Sequence, residues 1–172
     1  MSDQHETVLR AAWESFCDEL KRAVDIPFRD PAPRHVVERV AGIEALARNI
    51  SLALNFNHDY ADPRFPELIR YFDPVRKQGG DNTDAVYVGA TINGTDTYRI
   101  SGDRGTARYF AITSVQRGQT PWGGKVAHTL FGHDLKVDPD GHFELVVSPE
   151  PHAGNWLRTT PEQRIEWLEQ AK

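Results

Sequence analysis

The chain has 172 residues and a formal net charge of −5, because 20 Lys and Arg stand against 25 Asp and Glu. This acidic balance excludes nucleic-acid binding, which requires a dense basic surface. Hydrophobic residues make up 39% of the sequence, which is enough for a packed core. No apolar run is long enough to span a bilayer, and the single cysteine, Cys17, excludes an internal disulfide. We therefore expect a folded, cytoplasmic protein with no membrane partner and no targeting segment.

Two helices are predicted in the first third of the chain. From Glu6 to Val24, apolar residues recur at spacings of three and four, which gives one apolar stripe along a helix. The stripe consists of Leu9, Trp13, Phe16, Leu20 and Val24. A second stretch with this periodicity runs from Arg34 to Leu54. The segment between the two helices, Ile26 to Pro33, contains three prolines and is predicted to be a connector.

The hydrophobic period changes to two in the second half of the chain, which predicts strands. A first strand is predicted from Val86 to Ile92, and the Asn93-Gly94 pair that follows favours a hairpin to a strand at Thr97 to Ser101. Further strands are predicted from Ala107 to Val115 and on both sides of a turn at 138–141. The total is about five antiparallel strands.

A short C-terminal helix is predicted from 159 to 172. Thr160 suits the N-cap, Pro161 suits the first helical position, and Gln163 completes a capping box. Helices that are segregated from antiparallel strands indicate an α+β fold. We expect a single domain over residues 1–172, with a helical part (1–73), an antiparallel β part (74–158) and the C-terminal helix (159–172).

No metal site, cofactor site or nucleophile motif is predicted. The histidines lack the spacings of a helix or strand chelate. Asp138, Asp140 and Gly141 resemble the start of a calcium loop, but Pro149 stands where the loop needs its bidentate Glu. A Gly-x-Ser-x-Gly elbow and a dinucleotide fingerprint are both absent from the sequence.

A set of polar and aromatic residues exceeds what turns alone need. We predict that they line a pocket at one end of the sheet for a small, mostly apolar organic molecule. The candidate catalytic residues are Tyr98, His128 and His133, one of which would transfer a proton. The candidate ligand-binding residues are Asp81, Asn82, Tyr87, Arg99, Arg104, Asn155 and Trp156. The alternative for each residue is structural, since Asp and Asn satisfy turns and arginines pair with carboxylates.

Six segments in the second half of the chain carry a resemblance to a known family. They are Tyr71 to Pro74, Lys77 to Asn82, Asp84 to Tyr87, Thr97 to Gly102, Asp140 to Leu145 and Gly154 to Leu157. These segments resemble the family catalogued as domain of unknown function 1214. The resemblance covers about half of the chain, from Asp73 to Pro161. It implies an antiparallel β-sandwich of jelly-roll character, which often follows a helical or related domain, and it implies no particular activity.

The predicted strand count falls short of that fold. About five strands form one sheet, whereas a sandwich or jelly roll normally has seven or eight. Members of the family usually continue with further strands after the Gly-Asn-Trp signature, where a helix is predicted here. The chain is therefore predicted to be a short form, completed by a homo-oligomeric partner or a second protein chain.

Two classes of function remain open. The first is an enzyme or enzyme subunit that acts on a small organic molecule, with the reaction type unassigned. In that case Arg99, Arg104 and Asn155 would bind a carboxylate or carbonyl. The second is a non-catalytic module that binds a small molecule or assembles with another chain.

Overall fold

The computed structural model describes residues 3–77, 80, 82, 84–116, 124–161 and 163–170. The chain divides into two compact units, Met1–Ser51 and Leu52–Lys172. Two helices are followed by strands in chain order, so the predicted α+β class is confirmed. The boundary between the units falls inside the second helix. It lies earlier in the chain than residue 73, the predicted end of the helical part.

Helices α1 (Asp3–Ala23) and α2 (Val36–Leu54) lie where the apolar periodicity predicts them. A 3-10 turn follows α1 at Ile26–Phe28, and a π-helical turn extends α2 at Asn55–Asp59. The guanidinium of Arg39 on α2 donates to the carbonyl of Pro27 and lies 5.1 Å from the ring centroid of Phe28. These contacts fix the connector against α2. Among the described residues, no helix is both long and apolar enough to cross a membrane.

Eight strands are described in the second unit, and they form two sheets. The strands are β1 (Ile69–Arg70), β2 (Ala85–Ala90), β3 (Tyr98–Asp103), β4 (Tyr109–Gln116), β5 (Lys125–Phe131), β6 (His142–Ser148), β7 (Trp156–Arg158) and β8 (Gln163–Gln170). One sheet has five strands in the order β1-β2-β8-β4-β5, and all of its neighbouring strands are antiparallel. The other has the order β3-β6-β7, in which β6 and β7 run parallel.

The hydrophobic core lies between the two sheets. Along each strand alternate side chains point to the same face, so every second residue of β4 and β6 reaches the core. The core residues are Ile92, Phe110, Ile112, Leu135, Phe143, Leu145, Val147 and Leu157. Phe110 of β4 and Phe143 of β6 stack with ring centroids 5.7 Å apart. The sheets therefore pack face to face as a sandwich.

The predicted C-terminal helix is wrong, because residues Gln163–Gln170 form strand β8. This strand pairs with β2, from Ala85 opposite Gln170 to Ala90 opposite Ile165. It also pairs with β4 over its whole length. The capping signals before it are local, whereas β2 and β4 offer two rows of backbone hydrogen-bonding groups that a helix would leave unpaired.

The predicted hairpin at Asn93-Gly94 is also wrong, although the chain does turn there. Asn93 accepts a bond of 3.1 Å from the backbone N–H of Asp96, yet β2 and β3 belong to different sheets. The turn therefore carries the chain across the core. The predicted total of about five strands is too low, since the sequence pattern does not indicate β1, β5, β7 or β8. The strand predicted at Leu135 and Val137, before the turn at 138–141, is wrong, because no strand lies between β5 and β6, where every residue is described. The number of strands is therefore no longer evidence that the sandwich is incomplete.

The turn at Asp138–Gly141 is confirmed. The N–H of Gly141 donates to the carbonyl of Asp138 at 2.9 Å, and the N–H of Asp138 donates to the carbonyl of His142 at 2.8 Å. Gly141 has φ +94°, which a residue with a side chain rarely adopts. The turn leads directly into β6.

Candidate functional site

His128 links one edge of the five-stranded sheet to one edge of the three-stranded sheet. It lies on the edge strand β5, and its ring Nδ1 accepts a bond of 3.1 Å from the backbone N–H of Arg158 on β7. The hydroxyl of Ser114 on β4, which is fully buried, donates to the carbonyl of Arg158 at 2.8 Å. The edge of the sandwich is therefore closed here by polar groups that are paired with one another.

The hydrogen bond to Nδ1 assigns the proton of the neutral His128 ring to Nε2. Burial lowers the pKa of His128, and the positive charge of Arg158 lowers this pKa further. The imidazole is thus neutral at physiological pH. It offers Nε2–H as a hydrogen-bond donor, and its Nδ1 is already occupied.

Trp156 lies beside this imidazole, with ring centroids 6.2 Å apart. Its indole N–H donates to the carbonyl and the hydroxyl of Ser148, at 3.2 and 3.1 Å. The hydroxyl of Ser148 in turn donates to the carbonyl of Glu150 at 2.6 Å. The indole is therefore held in one orientation. We call His128, Trp156 and Arg158 the edge cluster.

The structure brings together two residues that sequence reasoning named separately, His128 and Trp156. It adds two that sequence reasoning missed, Ser114 and Arg158. Ser114 follows Phe110 and Ile112 at the same spacing of two, and a serine at a core position of a strand is a detectable signal. Arg158 gives no comparable signal, because its partner His128 is 30 residues away in sequence.

Asn155 is used as a structural clamp. Its amide nitrogen donates to the carbonyls of Lys136 and Glu144, both at 2.8 Å, and its amide oxygen accepts from the N–H of Lys136 at 2.7 Å. The side chain thereby ties the segment before β6 to β6 and β7. Ligand binding by Asn155 stays a prediction.

Tyr98 is also engaged within the fold. Its hydroxyl accepts a bond of 2.9 Å from the N–H of Asn93 and lies 3.5 Å from a carboxylate oxygen of Asp96. Burial, more than any other cause, raises the pKa of Tyr98, so that its hydroxyl stays protonated at neutral pH. It lies on β3, at the opposite edge of the three-stranded sheet from β7.

The candidate polar residues Arg99, Arg104 and Asn82 occupy three further positions. Arg99 forms an exposed ion pair of 3.4 Å with Glu144. The Nε of Arg104 donates to the carbonyl of Ala107 at 3.3 Å. Asn82 accepts a bond of 2.9 Å from the N–H of Asp84 in an exposed turn. Asp81 lies outside the described residues.

The candidate residues Tyr87 and His133 lie apart from the edge cluster. Tyr87 is on β2, which β8 and β4 separate from β5, and its ring meets Phe72 edge-on with centroids 5.2 Å apart. His133 follows β5 in an exposed turn, where its ring stacks on Phe131. Within the described part of the chain, no group of three or more His, Cys, Asp or Glu is placed to hold a metal ion.

No protein-family model matches the chain, and no curated protein is similar to it. Among solved structures, the chain is similar to an uncharacterized protein from Burkholderia cenocepacia, with 33% sequence identity and a TM-score of 0.87. The match covers 92% of this chain and 44% of that chain. The fold is therefore shared, and the chain spans less than half the length of that protein.

Proposed function

We propose that this chain is an assembly module, in which helix α1 pairs with a second copy of the chain. The observation that carries the proposal is the exposure of the apolar stripe on α1. Trp13 is 66% exposed, Leu9 is 62% exposed and Phe16 is 38% exposed. Soluble proteins expose single apolar residues commonly, but a continuous row of large ones is typical of an interaction surface.

The stripe is self-complementary when two α1 helices run antiparallel. If Trp13 of one copy lies opposite Phe16 of the other, Leu9 lies opposite Leu20, and the same pairs recur in reverse order. This is the property that a two-fold interface requires.

Burial of the apolar stripe would supply the favourable free energy of the pair. Complete burial of a Leu, Val or Phe side chain contributes about 1.5–3 kcal/mol. Eight such side chains, four from each copy and about half exposed, would contribute on the order of 6–12 kcal/mol. A dimer of micromolar affinity needs a net gain of about 8 kcal/mol, and the loss of free motion on association opposes the gain by an amount of similar size.

One solved structure with this fold is a longer protein. The chain matches 44% of the Burkholderia cenocepacia protein, which is therefore about twice as long as this chain. More than half of that protein lies outside the match.

Light scattering of the purified full chain tests the proposal. We expect a dimer at micromolar concentration, and a monomer for Trp13→Glu, because the substitution places a charge in the stripe. Ser15→Glu is the matched control, since position 15 lies off the stripe, and it should remain a dimer. A wild-type chain that stays monomeric at about 100 µM, well above a micromolar dissociation constant, would overturn the proposal.

Small-molecule binding is a second candidate function, and the edge cluster favours it. Catalysis by Tyr98, His128 or His133 remains a prediction. Nδ1 of His128 and the hydroxyl of Tyr98 already accept hydrogen bonds from backbone N–H groups. Membership of the domain of unknown function 1214 family, with its jelly-roll topology, is part of the proposal. It is supported by the two-sheet sandwich and by the structural roles of Asn155 and Trp156 in the resembling segment.

A further inference from the structure

We propose that the edge cluster binds a small organic carboxylate with an apolar or aromatic body. This inference goes beyond the proposed assembly role. It concerns residues of the second unit, whereas α1 belongs to the first.

Arg158 supplies the positive charge of this site. Its side chain is exposed, and no carboxylate among the described residues forms an ion pair with it. By contrast, Arg99 on β3 is paired with Glu144 at 3.4 Å. A planar guanidinium without a carboxylate partner is suited to binding a carboxylate through two parallel hydrogen bonds.

The backbone holds Arg158 in place independently of its guanidinium. Its N–H donates to Nδ1 of His128, and its carbonyl accepts from the hydroxyl of Ser114. Strands β5 and β4 of the other sheet therefore fix the backbone of Arg158 before any ligand arrives.

His128 supplies a second, neutral donor. With Nδ1 accepting from the backbone, the proton lies on Nε2, which is directed away from that bond by the geometry of the ring. The site thus combines one positive charge with one neutral N–H. This combination matches the single charge of a carboxylate better than the double charge of a phosphate monoester.

Trp156 supplies the apolar wall. Trp156 and Arg158 are two positions apart on β7, so their side chains lie on the same side of the strand. The indole is fixed by its bonds to Ser148, and its ring lies 6.2 Å from the imidazole of His128. An indole face next to an anion-binding group favours a carboxylate attached to an apolar body.

Benzoate is a suitable probe, with benzamide as its neutral counterpart. Binding would be measured by calorimetry on the full chain and by the shift of the Trp156 indole N–H in NMR spectra, assigned with Trp156→Phe. We expect benzoate to shift this signal and benzamide to bind at least about tenfold more weakly, since it lacks the charge.

Three substitutions separate the contributions of the cluster. Arg158→Gln should weaken benzoate binding about tenfold. His128→Asn should weaken it less, because Asn retains an acceptor for the N–H of Arg158 and lacks only the Nε2–H donor. Arg64→Gln is the matched control, as it removes an arginine that already pairs with the carboxylate of Asp62 at 2.6 Å, and it should leave binding unchanged.

The outcomes that overturn the site are distinct from those that overturn the assembly role. Equal binding of benzoate and benzamide, or equal effects of Arg158→Gln and Arg64→Gln, would exclude carboxylate recognition. Absence of any shift at Trp156 would exclude the site. Trp13→Glu should bind benzoate as the wild type does, so a failure of dimerisation would not affect this result.

Discussion

At the scale of single residues, several polar side chains that suggest a binding site prove to hold the fold. Gly154, Asn155 and Trp156 stand in a segment that resembles a family signature, and each has a structural role. Gly154 has φ +89°, Asn155 joins two segments through its amide, and Trp156 is bonded to Ser148. A short motif of this kind therefore indicates a shared fold as readily as a shared activity.

Replacement of Asn155 by Ala should strongly destabilise the protein. The substitution removes three hydrogen bonds and leaves the N–H of Lys136 and the carbonyls of Lys136 and Glu144 without their partner. The expected loss in the free energy of unfolding is about 2–4 kcal/mol, measured by urea denaturation. Asn82→Ala, which removes one bond in an exposed turn, is the control. A similar decrease in the free energy of unfolding for the two variants would contradict the structural role of Asn155.

At the scale of elements, the sequence predicts best those whose pattern is local. The stripes of α1 and α2 follow from helical periodicity, and the turn at Asp138–Gly141 follows from its Pro and Gly residues. Strand β8 could not be predicted in this way, because Thr160 and Pro161 favour a helix start while pairing with β2 and β4 decides the outcome. Local preference is a weak guide where two distant strands supply the hydrogen bonds.

For the candidate site, the sequence indicates the residues but not the contacts between them. His128 and Trp156 are noticeable as residue types, so sequence reasoning could name them. Their contact with Arg158 depends on the two sheets meeting at one edge, between β5 and β7. No pattern in the sequence predicts that β5 and β7 lie next to each other.

A cysteine at position 10 tests the antiparallel direction of the α1 pair. Positions 10 and 17 of two copies flank the stripe and face each other in this arrangement. Within one helix they are about 10 Å apart, too far for a disulfide. Arg10→Cys should therefore form an intermolecular disulfide with Cys17 under mild oxidation, seen on a non-reducing gel.

Ser15→Cys controls for random collision, because position 15 lies off the stripe and should give little dimer. An equal yield of disulfide from both variants would exclude the antiparallel pairing, even if light scattering shows a dimer.

At the scale of the whole molecule, the stability of the fold should depend on pH through His128. Its pKa is lowered in the folded chain, whereas the unfolded chain has an ordinary value of about 6.5. As the pH falls through that value, the unfolded state takes up the proton first, so the free energy of unfolding decreases. The contribution is fully present above about pH 6.5 and declines below it.

Urea denaturation at about pH 7.5 and pH 5.5 measures this effect, since the two values bracket the ordinary pKa of histidine. The wild type should lose more stability between these values than His128→Asn, which cannot titrate. The carboxylate of Asp62 does not interfere, because the Arg64 side chain lowers the pKa of Asp62 to about 2. Identical losses for both proteins would show that His128 is protonated equally in the folded and unfolded chains.

The position of β8 has a consequence for how the molecule is made. This strand lies in the middle of the five-stranded sheet, between β2 and β4, although it follows all the other described strands in the chain. During synthesis β2 and β4 have both been made before β8, so the strand position between them is still unoccupied. A strand from a neighbouring nascent chain can pair at this position, because β2 and β4 both present unpaired backbone groups to it. The five-stranded sheet is therefore completed either by β8 of its own chain or by a strand of another chain.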